Sequence, residues 1–243
     1  MYSQYRDSGN ITGLTDFCQV WLPTGWEPGA DTPIVLLALG YGDDTKLTST
    51  QLATDTFVKA IVAEGYGVVT SRYGGTDLFG NPTARAQVEI VADFVQTHTN
   101  SFGTLAVGAG KIVTVGFSMG ACTTLNWVGN LSTPTDRVKA FVTVNGLVDI
   151  NYSGTSSLVA AAYPGGVTNS TDDPTTMAAN SKYAGLDGWV CYATDDTVIS
   201  YSSMGPFITS TGATVVSEGA AGHVWTNIAN PAVIDAVLAA CAA

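Results

Sequence analysis

One serine in the chain stands where it could act as a nucleophile. Ser118 lies within Gly116-Phe117-Ser118-Met119-Gly120, directly after the β-branched run Ile112-Val113-Thr114-Val115. The run reads as a buried strand, and the Gly-x-Ser-x-Gly spacing falls where a helix would begin. A serine on so sharp a turn has strained backbone angles, and bulky side chains two residues to either side would collide as the chain folds back. Glycines at 116 and 120 remove those collisions. A hydroxyl presented in this way can attack a carbonyl carbon, provided a neighbouring base takes its proton.

Histidine suits that task, and the chain has two. His98 falls at the tail of a predicted helix and reads as a helix-end cation near the negative pole. His223 lies in Glu218-Gly219-Ala220-Ala221-Gly222-His223-Val224-Trp225, between the last predicted strand and the terminal helix. In a parallel sheet that loop emerges at the same carboxyl edge as the serine turn, which makes His223 the expected base. The acid that holds it is expected from Thr194-Asp195-Asp196-Thr197-Val198. Asp196 is preferred, Asp195 is its neighbour or substitute, and Asp149 is the outside alternative. The chain order Ser118, Asp196, His223 differs from both well-known protease orders. An oxyanion would need backbone donors. Met119 N–H qualifies by its place at the helix start, and Tyr41 N–H qualifies through the loop Gly40-Tyr41-Gly42, where the Tyr41 ring could also wall an acyl pocket. Phe117 and Trp225 flank the candidate residues and read either as apolar pocket walls or as simple packing.

The elements needed to position these residues are legible in order. Residues 1–12 read as a polar lead-in, Gly13 to Pro23 as an early strand, and Trp26 to Asp31 as a turn-rich connection. Pro33 to Leu39 is a continuous apolar strand, of the kind buried on both faces of a parallel sheet. Ser49 to Glu64 predicts a helix with Ala53, Phe57, Ala60 and Ile61 on one face. Val68 to Ser71 is a strand. Asn81-Pro82 opens a helix that buries Ala84, Val88, Val91, Ala92 and Val95. A helix over 119–129 follows the serine, and Val138 to Val144 is another strand. From Leu147 to Asp187 periodicity dissolves, apart from an Ala-rich piece at 158–162, and residues 148–187 read as an insertion or partial lid. Trp189 to Ala193 is a strand, Tyr201 to Thr211 a helix, Ala213 to Ser217 the last strand, and Asn230-Pro231 opens a terminal helix burying Val233, Ala236, Val237 and Ala240.

With 243 residues and 46% hydrophobic content, the chain suffices for one α/β domain spanning 1–243. A net charge of −11 with nine Lys and Arg argues against nucleic acid and anionic membranes as partners. No apolar run approaches the length that crosses a bilayer, and the start of the chain has no signal-peptide pattern. Charged residues make up only 12%, a composition like that of secreted hydrolases. A monomer is expected. The four cysteines, 18, 122, 191 and 241, fit no metal spacing, and Cys122 reads as a buried thiol. The Asp pairs at 43/44, 172/173 and 195/196 match no calcium loop and read as solvated carboxylates, so neither metal nor cofactor is expected. Sequons at Asn10, Asn130, Asn151 and Asn169 are unsurprising in a chain this rich in Ser and Thr.

Over nearly its whole length the chain resembles the α/β-hydrolase superfamily: a mostly parallel sheet with helices on both faces. A narrower resemblance is to cutinase-like esterases and bacterial polyesterases, carried by Gly40-Tyr41, Gly116-Phe117-Ser118-Met119-Gly120, Asp195-Asp196-Thr197-Val198-Ile199 and Gly222-His223. Leu39-Gly40 stands where that group commonly has His-Gly. The resemblance implies a serine carboxylester hydrolase: Ser118 as nucleophile, His223 as base, Asp196 as acid, Met119 and Tyr41 as oxyanion hole, and a small-molecule or polymeric ester as substrate. An acyltransferase, a peptidase, or an inactive binding module on the same fold are the alternatives.

Overall fold

Apolar strands need cover on both faces, which this chain supplies by alternating strands with helices. The computed structural model describes residues 2–7, 11–16, 18–26, 32–42, 56–97, 99–100, 103–104 and 111–243. In chain order these hold strands β1 (Tyr2–Asp7), β2 (Cys18–Pro23), β3 (Ile34–Ala38), β4 (Gly67–Ser71), β5 (Thr99–Asn100), β6 (Gly103–Thr104), β7 (Ile112–Phe117), β8 (Val138–Val144), β9 (Asp187–Tyr192) and β10 (Thr214–Ser217). The helices are α1 (Thr56–Ala63), α2 (Pro82–Thr97), α3 (Met119–Asn130), α4 (Ser156–Ala162), α5 (Asn169–Asp172), α6 (Pro174–Ala179), α7 (Tyr201–Thr211) and α8 (Pro231–Ala242).

Eight strands form one sheet in the order β1-β2-β4-β3-β7-β8-β9-β10, while β5 and β6 pair apart from it. Neighbours from β4 through β10 are parallel, and β1 and β2 join antiparallel at one side. The chain steps from β3 outward to β4 and then returns past β3 to β7, so strand order reverses between β3 and β7. Loops leaving the carboxyl ends at such a switch point frame a crevice. The register Ala38↔Gly116 sets the Tyr41 loop beside the serine turn.

Alternation along β3 divides the core. Ile34, Leu36 and Ala38 pack with Val88 and Val91 of α2 and Leu125 and Val128 of α3, whereas Val35 and Leu37 pack with Phe57 and Ile61 of α1 and Val233 and Val237 of α8. Successive strand side chains point to opposite faces, so one five-residue strand serves both layers. Each fully buried Leu or Ile there contributes about 1.5 to 3 kcal/mol.

The helix starts follow the expected caps: Asn81 Oδ1 accepts from Ala84 N at 3.0 Å, and Asn230 Oδ1 from Ala232 N at 3.0 Å. Several expectations need correction. The lead-in contains β1, paired with β2 from Tyr2↔Pro23 to Asp7↔Cys18, because an edge strand can be held by backbone hydrogen bonds without an apolar pattern. The early strand begins at Cys18 rather than Gly13, after turns in which Gly13 takes φ 85°. Ala60 is only half-buried, and Val58 fills the face of α1 in its place. The start of the helix expected from Ser49, including Ala53, lies outside the described residues, as do His98, Asp43, Asp44, Asn10 and most of the 26–31 connection.

Residues 148–187 carry α4, α5 and α6, and Met177 of α6 is fully buried in the main core. Asp172 and Asp173 are not solvated: they are 4% and 3% exposed. Asp172 pairs with Arg85 at 2.5 Å and accepts from Thr168 N, while Asp173 caps α6 through Thr176 N and accepts from Ile150 N. Carboxylates can be buried when donors surround them, and a pairing so distant in sequence leaves no local mark. No helix among the described residues is long and apolar enough to cross a membrane.

Candidate active site

The serine turn is set by close packing. Ser118 holds φ 53° and ψ −120° between β7 and α3, a left-handed backbone rare for a non-glycine residue. Its N–H donates to Val144 O of β8 at 3.0 Å, and its carbonyl accepts from Leu147 N at 3.0 Å. A Cβ on Gly120 would stand 2.6 Å from Leu39 O and closer still to Ala38 O, and one on Gly116 would meet Ala121 N at 2.5 Å. These are backbone atoms, so nothing can swing aside. Phe79 at φ 47° and Asn145 at φ 46° add strained positions at the same edge, and such strain gathers at functional sites.

Loops after β7, β9 and β10 bring three side chains into line. His223 Nε2 lies 2.8 Å from Ser118 Oγ, and His223 Nδ1 lies 2.6 Å from Asp196 Oδ2. With Nδ1–H donating to the carboxylate, Nε2 is left to accept from the serine hydroxyl. The Asp196 side chain is 2% exposed and that of His223 13%. Burial alone would raise Asp196, but hydrogen bonds from His223, Ile199 N and Val198 N outweigh it and hold the carboxyl below its ordinary range. Asp195 bonds elsewhere, accepting from Gly222 N at 2.7 Å, and Asp149 accepts from Asn151 N at 2.9 Å. Neither alternative is the partner of His223.

Met119 and Tyr41 line the same cavity as Ser118, and the loop after β3 is tied down by Gly42 N donating to Thr76 O at 3.0 Å. The cavity encloses about 390 Å³, and its other walls include Phe79, Leu147, Thr155, Leu158, Ile199 and Val224. Phe117 and Trp225 both line it; their rings meet edge to face at 5.5 Å, and Phe117 lies 5.4 Å from the His223 ring. No Asp, Glu, Lys or Arg among the described residues forms its wall. Tyr41, Val198 and Val224 stand exposed at its mouth.

Three residues that the sequence reading passed over lie behind the His223 loop. Asn145 Oδ1 accepts from Ala193 N at 2.7 Å, Asn227 Nδ2 donates to Gly222 O at 2.7 Å, and Glu218 is 9% exposed beside them. Burial pushes Glu218 up to about 7, with the negative charge of Asp196 adding to the rise and a bond from Asn145 opposing it. Asn145-Gly146 at a strand end was the available signal, since Asn tolerates left-handed backbone. All four cysteines are buried free thiols, and burial pushes Cys122 well above the ordinary range.

No family model and no curated protein sequence matches the chain. Solved structures do match in shape. Superposition with Est1E from Butyrivibrio proteoclasticus gives a TM-score of 0.70 at 13% identity, over 100% of this chain and 99% of that one. Thermogutta terrifontis esterase 2, phosphoramylated by tabun, gives 0.70 at 14% identity, over 98% and 92%. A Bacteroides ovatus chain assigned as a dipeptidyl aminopeptidase IV gives 0.76 at 12% identity, over 100% of this chain; there the chain spans only 36% of its partner's length. The chain has the α/β-hydrolase fold.

Proposed function

We propose that the protein is a serine carboxylester hydrolase that works through an acyl-enzyme on Ser118. The observation that carries this reading is the unbroken line Ser118 Oγ, His223 Nε2, His223 Nδ1, Asp196 Oδ2 at the wall of an apolar cavity. In the first half-reaction His223 takes the hydroxyl proton as Ser118 Oγ bonds to the ester carbonyl carbon. The resulting oxyanion is held by Met119 N–H and Tyr41 N–H, and Asp196 steadies the imidazolium. Collapse expels the alcohol, which receives its proton from His223. Water then repeats the sequence on the acyl-enzyme and releases the acid.

The described wall residues include no Asp, Glu, Lys or Arg, which favours neutral acyl groups, and the apolar mouth suits a chain or polymer segment laid across it, the substrate class of cutinase-like esterases. In this reading residues 1–243 act as one monomeric domain, and 148–187 forms part of the wall through Thr155 and Leu158. A peptidase of the kind matched in Bacteroides ovatus would need to recognise a charged amine terminus, and among the described residues the cavity wall holds no carboxylate for it. Transfer to an acceptor other than water uses the same machinery. Hydrolysis rates for nitrophenyl esters of increasing chain length, for an insoluble polyester and for matched amides test the reading. Ester turnover lost in Ser118→Ala is expected; a strong preference for amides would overturn it.

A further inference from the structure

Two buried polar side chains stand behind the Ser118, His223 and Asp196 line without touching the reacting atoms. Asn145 closes β8, fully buried, with its amide turned between two loops. Its Oδ1 accepts from Ala193 N at 2.7 Å, where the chain leaves β9 toward Asp196. Its Nδ2 approaches Gly222 O at 3.5 Å, on the peptide just before His223. One amide therefore joins the acid loop to the base loop.

An amide can face either way, and its neighbours decide which. Turned over, Asn145 would set N–H against the Ala193 N–H, and its oxygen against Gly222 O and the Glu218 carboxyl. Glu218 Oε2 accepts from Asn145 Nδ2 at 3.3 Å, and Glu218 itself is fixed by its N–H donating to Tyr192 O at 2.8 Å. Its other oxygen, Oε1, is buried with no hydrogen-bond partner among the described residues. A buried carboxyl so poorly satisfied costs stability, which folds tolerate chiefly where the group serves a purpose. The titratable group whose charge bears on it is Asp196 from the acid loop, and the Glu218 charge in turn raises the Cys191 thiol of β9.

We propose that Asn145 and Glu218 are positioning residues for the base: Asn145 clamps the acid loop to the base loop, and Glu218 fixes the direction of the Asn145 amide. His223 is thereby kept within reach of both Ser118 and Asp196. This rests on the serine hydrolase reading above.

The test compares Asn145→Ala, Glu218→Leu and Glu218→Gln in the full chain. It measures kcat and KM on nitrophenyl butyrate, the thermal midpoint, and the downfield proton resonance of the His223 Nδ1–H. Asn145→Ala and Glu218→Leu are expected to lower kcat on the order of 100-fold and to lose the resonance, with KM unchanged within about twofold. The Glu218→Leu midpoint is expected to equal or exceed the parent's, since the poorly satisfied carboxyl is gone. Glu218→Gln, whose amide oxygen can still accept from Asn145, is expected to regain kcat to within about threefold of the parent. The proposal is overturned if the folded Ala and Leu variants keep parental kcat and resonance, or if Glu218→Gln is no better than Glu218→Leu. Should Asn145→Ala fail to fold, the Leu and Gln pair decides alone. If the parent shows no ester turnover that depends on Ser118, the hydrolase reading fails. The resonance, which needs only the His223 and Asp196 geometry, still judges the clamp.

Discussion

The serine turn and the base loop meet at one hydrogen bond, yet they are held by different physics. The turn is steric: Gly116 and Gly120 bring backbone within van der Waals limits of β3 and α3, leaving no room for a single added carbon. The base loop is polar and open. A methyl group added at Gly222 would meet nothing within 4 Å, and the place of this residue is set by hydrogen bonds to Asp195, Asn145 and Asn227. In the proposed reaction, a nucleophile fixed by packing cannot drift, whereas a base fixed by hydrogen bonds can adjust as its charge changes during proton transfer.

The sharpest way to break this contrast is to add a methyl on each side. Gly120→Ala is expected to cost more than about 3 kcal/mol and to abolish ester hydrolysis, because the clash is with backbone. Gly222→Ala, strained only by its φ of 64°, is expected to cost no more than about 1 to 2 kcal/mol. Urea midpoints and initial rates check both, and similar losses at the two sites would erase the distinction.

Chemistry without steric change comes next. Asp196→Asn is expected to reduce kcat by about 10⁴ while thermal stability holds near the parent value, since the amide favours the wrong imidazole tautomer. Tyr41→Pro, which removes the proposed oxyanion donor, is expected to reduce kcat by about 10² to 10³. Tyr41→Phe keeps the N–H and is expected to stay within about twofold of the parent.

A pH series probes the polar side alone. Glu218 is raised from 4.5 to about 7, so the folded state binds the extra proton between those values. Stability contributed by this group is therefore full at the acid end and declines as pH rises toward 7, by about 2 to 3 kcal/mol. Denaturant midpoints from roughly pH 5 to 8 should show the decline in the parent and lose it in Glu218→Gln. Asp196 has the opposite sign: its contribution is present above the ordinary carboxylate range and fades only as pH falls below it.

The same contrast governs what could be read in advance. Gly116, Ser118 and Gly120 are neighbours in sequence, so their constraint appears as a motif, and the apolar runs of β3, β7 and β8 declare a doubly covered sheet. His223 was reachable by elimination, given the shared carboxyl edge, and Asp196 as a preference over Asp195 and Asp149. Asn145, Glu218 and Asn227 act across 73 and 77 residues or through loop backbone, where no spacing rule applies. The part-buried pair Arg85 and Asp172, 87 residues apart, escaped for the same reason, as did β1, whose bonds are made by backbone rather than side chains.

The central claim is that Ser118 carries the acyl group. Rapid acid quench after mixing with nitrophenyl acetate, followed by peptide mass analysis, tests it directly. One acetyl group on the peptide containing Ser118 is the predicted result, absent in Ser118→Ala and slow to form in His223→Ala. Parental turnover in Ser118→Ala, or an acetyl group that accumulates productively on another residue, would contradict it.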